Sequence, residues 1–108
     1  MGALAAPLLP DKLDAWQAWM AELNGPRKAE FEAFNARHKL TAHRAWLQGT
    51  PDGGHLVIAV HDGPGGDDFM GGVASSDDSF DQWFVSKVAE CHGIDMSGPL
   101  PPPAERTL

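Results

Sequence analysis

Hydrophobic positions along the chain change their spacing several times, and each change marks a new element. Residues 3–9 form an apolar run interrupted by Pro7. Because proline cannot donate to a hydrogen-bond ladder, this run predicts a strand with Pro7 at an edge, a bulge or a strand end. From Asp11 the period becomes helical: Leu13, Trp16, Met20 and Leu23 fall three, four and three residues apart and share one face, while Asp14, Gln17 and Glu22 point elsewhere. Asn24-Gly25-Pro26 interrupts that face, and the same spacing resumes at Phe31, Phe34 and His38. The segment up to His38 is therefore either one kinked helix or two helices.

Residues 40–48 and 55–61 alternate and are rich in β-branched and aromatic side chains, and Thr50-Pro51-Asp52-Gly53-Gly54 joins them. Proline presets φ and glycine accepts positive φ, so the spacing predicts a hairpin. A glycine-rich loop at 62–66 precedes a short helical candidate at 67–74. Ser79-Phe80-Asp81-Gln82 fits a capping box with Ser79 as the cap, and Phe80, Phe84, Val88 and Cys91 then recur at helical spacing up to a glycine stop at Gly93. The prolines after Gly98 predict an extended tail, with residues 105–108 as a short last strand or a loose end.

The resulting order, β-α-β-β-α-(β), is the split arrangement of a ferredoxin-like α+β fold, with one domain over 1–98 and a proline-rich tail over 99–108. An antiparallel sheet with helices on one face leaves its other face to be covered by a ligand, by water or by a second sheet. Composition narrows the function classes. A formal charge of -7 with scattered Lys and Arg disfavours nucleic acid as a partner. No run reaches the roughly 18 apolar residues of a membrane span, and the opening lacks the charged n-region of a signal peptide, so a cytoplasmic address is expected. Cys91 is the only cysteine. With no flanking basic pair to lower its pKa, it is expected to be a small buried hydrophobe and not a reactive thiol.

The stretches Glu30-Phe31 through Arg37-His38, Thr41 through Trp46-Leu47-Gln48, Ser75-Ser76-Asp77-Asp78-Ser79-Phe80-Asp81-Gln82-Trp83-Phe84 and His92-Gly93-Ile94-Asp95 resemble small bacterial proteins of the dimeric α/β-barrel group. That group includes antibiotic-biosynthesis-type monooxygenases and stress-responsive barrel proteins. The resembling motifs are packing and capping signatures. They imply a homodimer with two sheets face to face across a two-fold axis. Pro7 and the proline-rich tail depart from the continuous first and last strands of that group.

Candidate chemistry centres on the hairpin. If Thr50 lies opposite Gly53, Trp46 faces Val57 and Arg44 faces Ala59, which groups Arg44, Trp46, Gln48, His55 and His61 on the face away from the helices and turns Leu56, Ile58 and Val60 toward them. An arginine, an indole and imidazoles on one face could bind a small anionic or aromatic ligand. The same residues could instead seal a polar dimer interface. His43 and His61 are the candidate bases for an enzyme of the cofactor-free monooxygenase type.

No metal or cofactor is expected: His55 and His61, six residues apart on one strand, lie about 20 Å from each other. Gly63-Pro64-Gly65-Gly66 lacks the lysine and hydroxyl of a phosphate loop and is followed by Asp67-Asp68. Trp16, Trp19 and Trp83 are expected in the core, with Trp19, one step off the main stripe, available to a partner.

Overall fold

The elements form where the spacing places them. In the computed structural model, which describes residues 1–108, the order is β1 (Gly2–Pro7), α1 (Leu13–Asn24), α2 (Lys28–Arg37), β2 (Ala42–Gly49), β3 (His55–Asp62), α3 (Phe69–Ala74) and α4 (Ser79–His92). The architecture is α+β, with four helices and one three-stranded sheet in the order β1-β3-β2, antiparallel at both junctions. The break at Asn24-Gly25-Pro26 yields two helices. Trp16, Trp19 and Leu23 of α1 are buried, and Trp19 meets Phe84 edge to face with ring centroids 5.0 Å apart. Trp19 is thus a core residue and is not free to face a partner.

The α4 start differs from the expected box. Its cap is Asp78 and not Ser79, because Asp78 Oδ1 accepts from the backbone N–H of Phe80 and Asp81. The carboxylate also suits the positive end of the helix dipole. At the other end Gly93 takes the left-handed conformation, φ 69°, that ends the helix. Cys91 is fully buried, and burial, with the Glu90 charge, pushes its thiol pKa up.

No fourth strand forms. Residues 105–108 are the loose end of the two expected alternatives, and before them Pro99, Pro101, Pro102 and Pro103 lack the donors that a ladder needs. The tail instead reaches β1 through one backbone bond, from Ala104 N–H to the Ala3 carbonyl, while Leu100 packs against the core.

The hairpin register corrects the expected pairing by one residue. Trp46 lies opposite Ile58 and Arg44 opposite Val60. The cause is the turn: Thr50 N–H bonds to the Gly54 carbonyl, Gly53 N–H bonds to the Thr50 carbonyl, and Gly53 sits at φ 84°. That is a loop of three residues, a type I turn followed by a left-handed glycine. Asp52 stabilises it by accepting from the Thr50 hydroxyl and the Gly54 N–H.

The covered face is also the reverse of the expected one. Ala6, Val57 and His61 are buried against the helices, whereas Leu56, Ile58 and Val60 take no part in the core cluster and share the open face with Arg44, Trp46 and Gln48. The register explains the choice: with Arg44, Trp46 and Gln48 outward, a pairing shifted by one residue turns His55, Val57, Ala59 and His61 of β3 inward. The helices bring Trp16, Trp19, Phe34, Phe69 and Phe84 to that face. Gly2 accommodates the glycine loop, since a Cβ there would fall 2.4 Å from the Gly66 carbonyl oxygen.

Candidate functional site

β2 and β3 place His43 directly opposite His61 on the helix-covered face. Their rings meet at 75° with centroids 4.7 Å apart. Phe69 of α3 stacks on His61 at 4.1 Å, and Phe34 and Phe84 flank His43. On α2, Asn35 follows Phe34 and brings its Oδ1 to 2.9 Å from His43 Nδ1. A carboxamide oxygen only accepts, so Nδ1 carries the proton and Nε2 carries the lone pair. Burial, together with the neighbouring His61 and His38, lowers the His43 pKa to about 3. Burial lowers that of His61 to about 4, against the opposing pull of Asp62. Both imidazoles are therefore neutral near pH 7.

These rings form one end of a cavity of about 510 Å³ between the sheet and the helices. Its walls are mostly hydrophobic, with Trp16, Met20 and Leu23 from α1, Val57 and Ala59 from β3, and β2 residues 43–46 along one side. A volume of this size is typical of small-molecule sites. Two polar groups at its wall lack protein partners. Trp19 Nε1 is buried with no acceptor in reach, although Trp19 itself is only 4 % exposed. His61, also 4 % exposed, makes no side-chain hydrogen bond; its far side lines a smaller cavity of about 260 Å³ beneath the tail. His92, by contrast, donates from Nδ1 to the Pro7 carbonyl at 2.9 Å.

A second buried polar group lies beyond Phe34 and Phe69. Asp81, 1 % exposed, accepts from Arg37 Nη2 on one oxygen and from His38 Nε2 at 2.9 Å on the other. Burial alone would raise its pKa, but bonds from Ser76, His38 and Arg37 and the Arg37 charge hold it below the usual carboxylate range. This cluster ties the end of α2 to the start of α4.

Of the five ligand-binding candidates of the hairpin, Arg44, Trp46 and His61 belong to the cavity lining, though on opposite faces of the sheet, and His55 and Gln48 do not. His61 faces the cavity. His55 stays on the helix-covered side near the turn but outside the cavity lining, and Gln48 donates to the Gly49 carbonyl at the hairpin end. Arg44 projects to the open face and pairs with Asp62, while Trp46 on that face is 50 % exposed. The candidate bases His43 and His61 come together. Trp19 as a cavity donor and Asn35 were not anticipated as site residues. Asn35 carried a signal, since it stands four residues after Phe31 on the apolar side of α2 and interrupts it with a polar group.

The glycine loop has a packing role: a Cβ on Gly65 would fall 1.9 Å from the His38 carbonyl oxygen. No group of three or more His, Cys, Asp or Glu side chains converges in a way that could hold a metal ion, and no helix is long and apolar enough to cross a membrane.

The site thus belongs to an α+β protein with an apolar cavity that ends in paired neutral histidines. Comparison with protein-family models, with curated proteins and with solved structures returned no match to this chain.

Proposed function

We propose that this chain binds a small, uncharged, largely apolar molecule in the cavity between its sheet and helices. The observation that carries the reading is the mostly hydrophobic cavity of about 510 Å³ itself, whose lining includes Trp19 with a buried Nε1 donor that has no protein acceptor. An unmade buried bond costs about 1–3 kcal/mol, and a ligand oxygen would supply it. Arg44 is the only charged residue in the lining, and its guanidinium is engaged by Asp62 on the other face. A charged ligand would therefore find no counter-ion.

Titration of the ¹⁵N-labelled chain with naphthalene, 2-naphthol and indole tests this. Saturable shifts of the Trp19 indole N–H and of cavity residues are expected. If no member of the set moves that resonance, the reading fails.

The fold behind this site is proposed to be ferredoxin-like. Support comes from β3 lying between β1 and β2, and from the tail running beside β1 where a fourth strand would pair. The open face, with Leu56, Ile58, Val60 and Trp46, supports a homodimer in which a second copy covers it, as in a dimeric α/β barrel. Sedimentation of the wild type and of Ile58→Glu should give a dimer and a monomer respectively; a monomeric wild type at high concentration removes the dimer.

A catalytic reading, of the cofactor-free monooxygenase type, is favoured by one observation. His43 Nε2 makes no bond within the protein, so it could accept a hydrogen bond from a bound acid, but burial has lowered the ring's pKa to about 3 and leaves it a weak base that a substrate would have to strengthen by bringing negative charge. Under this reading His43→Phe abolishes substrate-dependent dioxygen uptake but leaves binding of naphthalene intact. Unchanged uptake would dismiss His43 as the base.

A further inference from the structure

The direction of one hydrogen bond sets what the cavity can accept. Asn35 Oδ1 fixes the proton of His43 on Nδ1, and the ring is hemmed by Phe34, Phe69 and His61, with centroids 6.5, 5.1 and 4.7 Å away. Nε2 is left as a bare lone pair with no protein donor. We propose that Asn35 is a positioning residue that makes His43 an obligate hydrogen-bond acceptor, so that the cavity selects neutral ligands carrying a hydroxyl or N–H donor. This rests on the ligand-binding reading above and gives that ligand its polarity.

The chemistry follows from the lining. A ligand without a donor strips water from Nε2 and returns nothing, which leaves a desolvated acceptor beside an apolar surface. A ligand with a hydroxyl satisfies it. A carboxylate or phosphate would set lone pair against lone pair, and the one cation of the lining, Arg44, is already paired with Asp62. Trp19 Nε1 imposes the complementary demand for an acceptor elsewhere on the same ligand.

Long-range ¹⁵N–¹H spectra of the histidine side chains read the tautomer directly. In the wild type, His43 should show a protonated Nδ1 and an unprotonated Nε2. Paired titrations with 2-naphthol and 2-methoxynaphthalene read the selection, because the two differ by one donor. The naphthol should bind about tenfold more tightly to the wild type. In Asn35→Leu, similar in volume but unable to accept, the His43 tautomer should redistribute and the preference should fall toward unity.

A wild-type spectrum with the proton on Nε2, or equal affinity of the wild type for both probes, overturns the proposal. Both measurements stand on the wild type, so a poorly folded variant does not protect it. If neither probe binds, the ligand-binding reading falls and the selectivity with it, while the spectrum still decides whether Asn35 sets the tautomer.

Discussion

Two buried polar clusters lie on either side of the Phe34–Phe69 contact, and they are built on opposite principles. Around Asp81 both oxygens are bonded, by Arg37 and by His38. Around His43 and His61, one imidazole has a single partner, the other has none, and the nearby Trp19 N–H is orphaned. Protein interiors rarely leave such groups unmade. The first cluster is complete without help and reads as a structural tie between helices. The second is incomplete in the isolated chain and lies on a cavity, as the proposed ligand site requires.

The sharpest test of that contrast is Asp81→Ala. It leaves His38 without its carboxylate and Arg37 with Asp78 alone, at 3.3 Å, and should cost about 3 kcal/mol of unfolding free energy in urea, the range for breaking one side of a buried pair. Ligand affinity per folded molecule should not change. A loss below about 1 kcal/mol, the worth of a surface pair, would mean that the cluster is not the tie its bonding describes.

Acid separates the clusters by window. His43 and His61 have folded pKa values below their unfolded value of about 6.5, so the unfolded chain binds more protons below that pH. Their contribution is fully present above about pH 6.5 and is lost as pH falls toward 4, at up to about 1.4 kcal/mol per pH unit for each ring. Asp81 has a folded pKa below its unfolded value, so its contribution is present above about pH 4 and is lost only at lower pH. Urea midpoints measured from pH 7 to pH 4 should decline, and His43→Phe should flatten the slope by one ring's share. A stability curve level down to pH 4.5 would contradict the burial of both imidazoles.

How much of this was legible in the sequence depends on which physical term decides each feature. Helix periods, the glycine stop at Gly93 and the existence of the hairpin are local, and they were readable from spacing and turn chemistry. The register was not. Adjacent Gly53 and Gly54 allow the turn to close over two residues or three, and the Asp52 carboxylate with the positive φ of Gly53 selects three. A loop one residue shorter would set His43 opposite Val60 and on the opposite face from His61. The covered face was hidden for another reason: Leu56, Ile58 and Val60 look more like core than His55, Val57, Ala59 and His61. The choice follows from the register: with Arg44, Trp46 and Gln48 outward, the three-residue loop turns His55, Val57, Ala59 and His61 inward. His43 and His61 were therefore readable as candidate bases but not as neighbours.

Trp19→Phe sharpens the comparison at smaller amplitude. It deletes the orphan N–H while keeping an aromatic ring against Phe84. Stability should change by less than about 1 kcal/mol and could rise, because an unpaired buried donor is removed as the ring shrinks. Affinity for 6-acetyl-2-naphthol, whose carbonyl can accept from Trp19, should fall severalfold, while that for 2-naphthol should scarcely change. The opposite pattern, a large stability loss with unchanged affinity for both, would place the indole N–H in a bond within the protein and make this cluster as complete as the other.

The smallest effect is expected from Arg44→Ala, and its size measures what lies over the open face. Arg44 pairs with Asp62 there, and their side chains are 57 % and 26 % exposed. In an isolated chain water competes for both groups, and such a pair contributes about 0–1 kcal/mol, so thermal stability should scarcely move. Covering by a second copy would change the outcome. The same pair would then be desolvated, and removing one partner would cost several kcal/mol, with a dependence on protein concentration that the isolated chain lacks. Melting temperatures of the wild type and Arg44→Ala across a hundredfold range of concentration distinguish the two. A penalty under 1 kcal/mol at every concentration leaves the open face wet, and a penalty that grows with concentration assigns it to the homodimer.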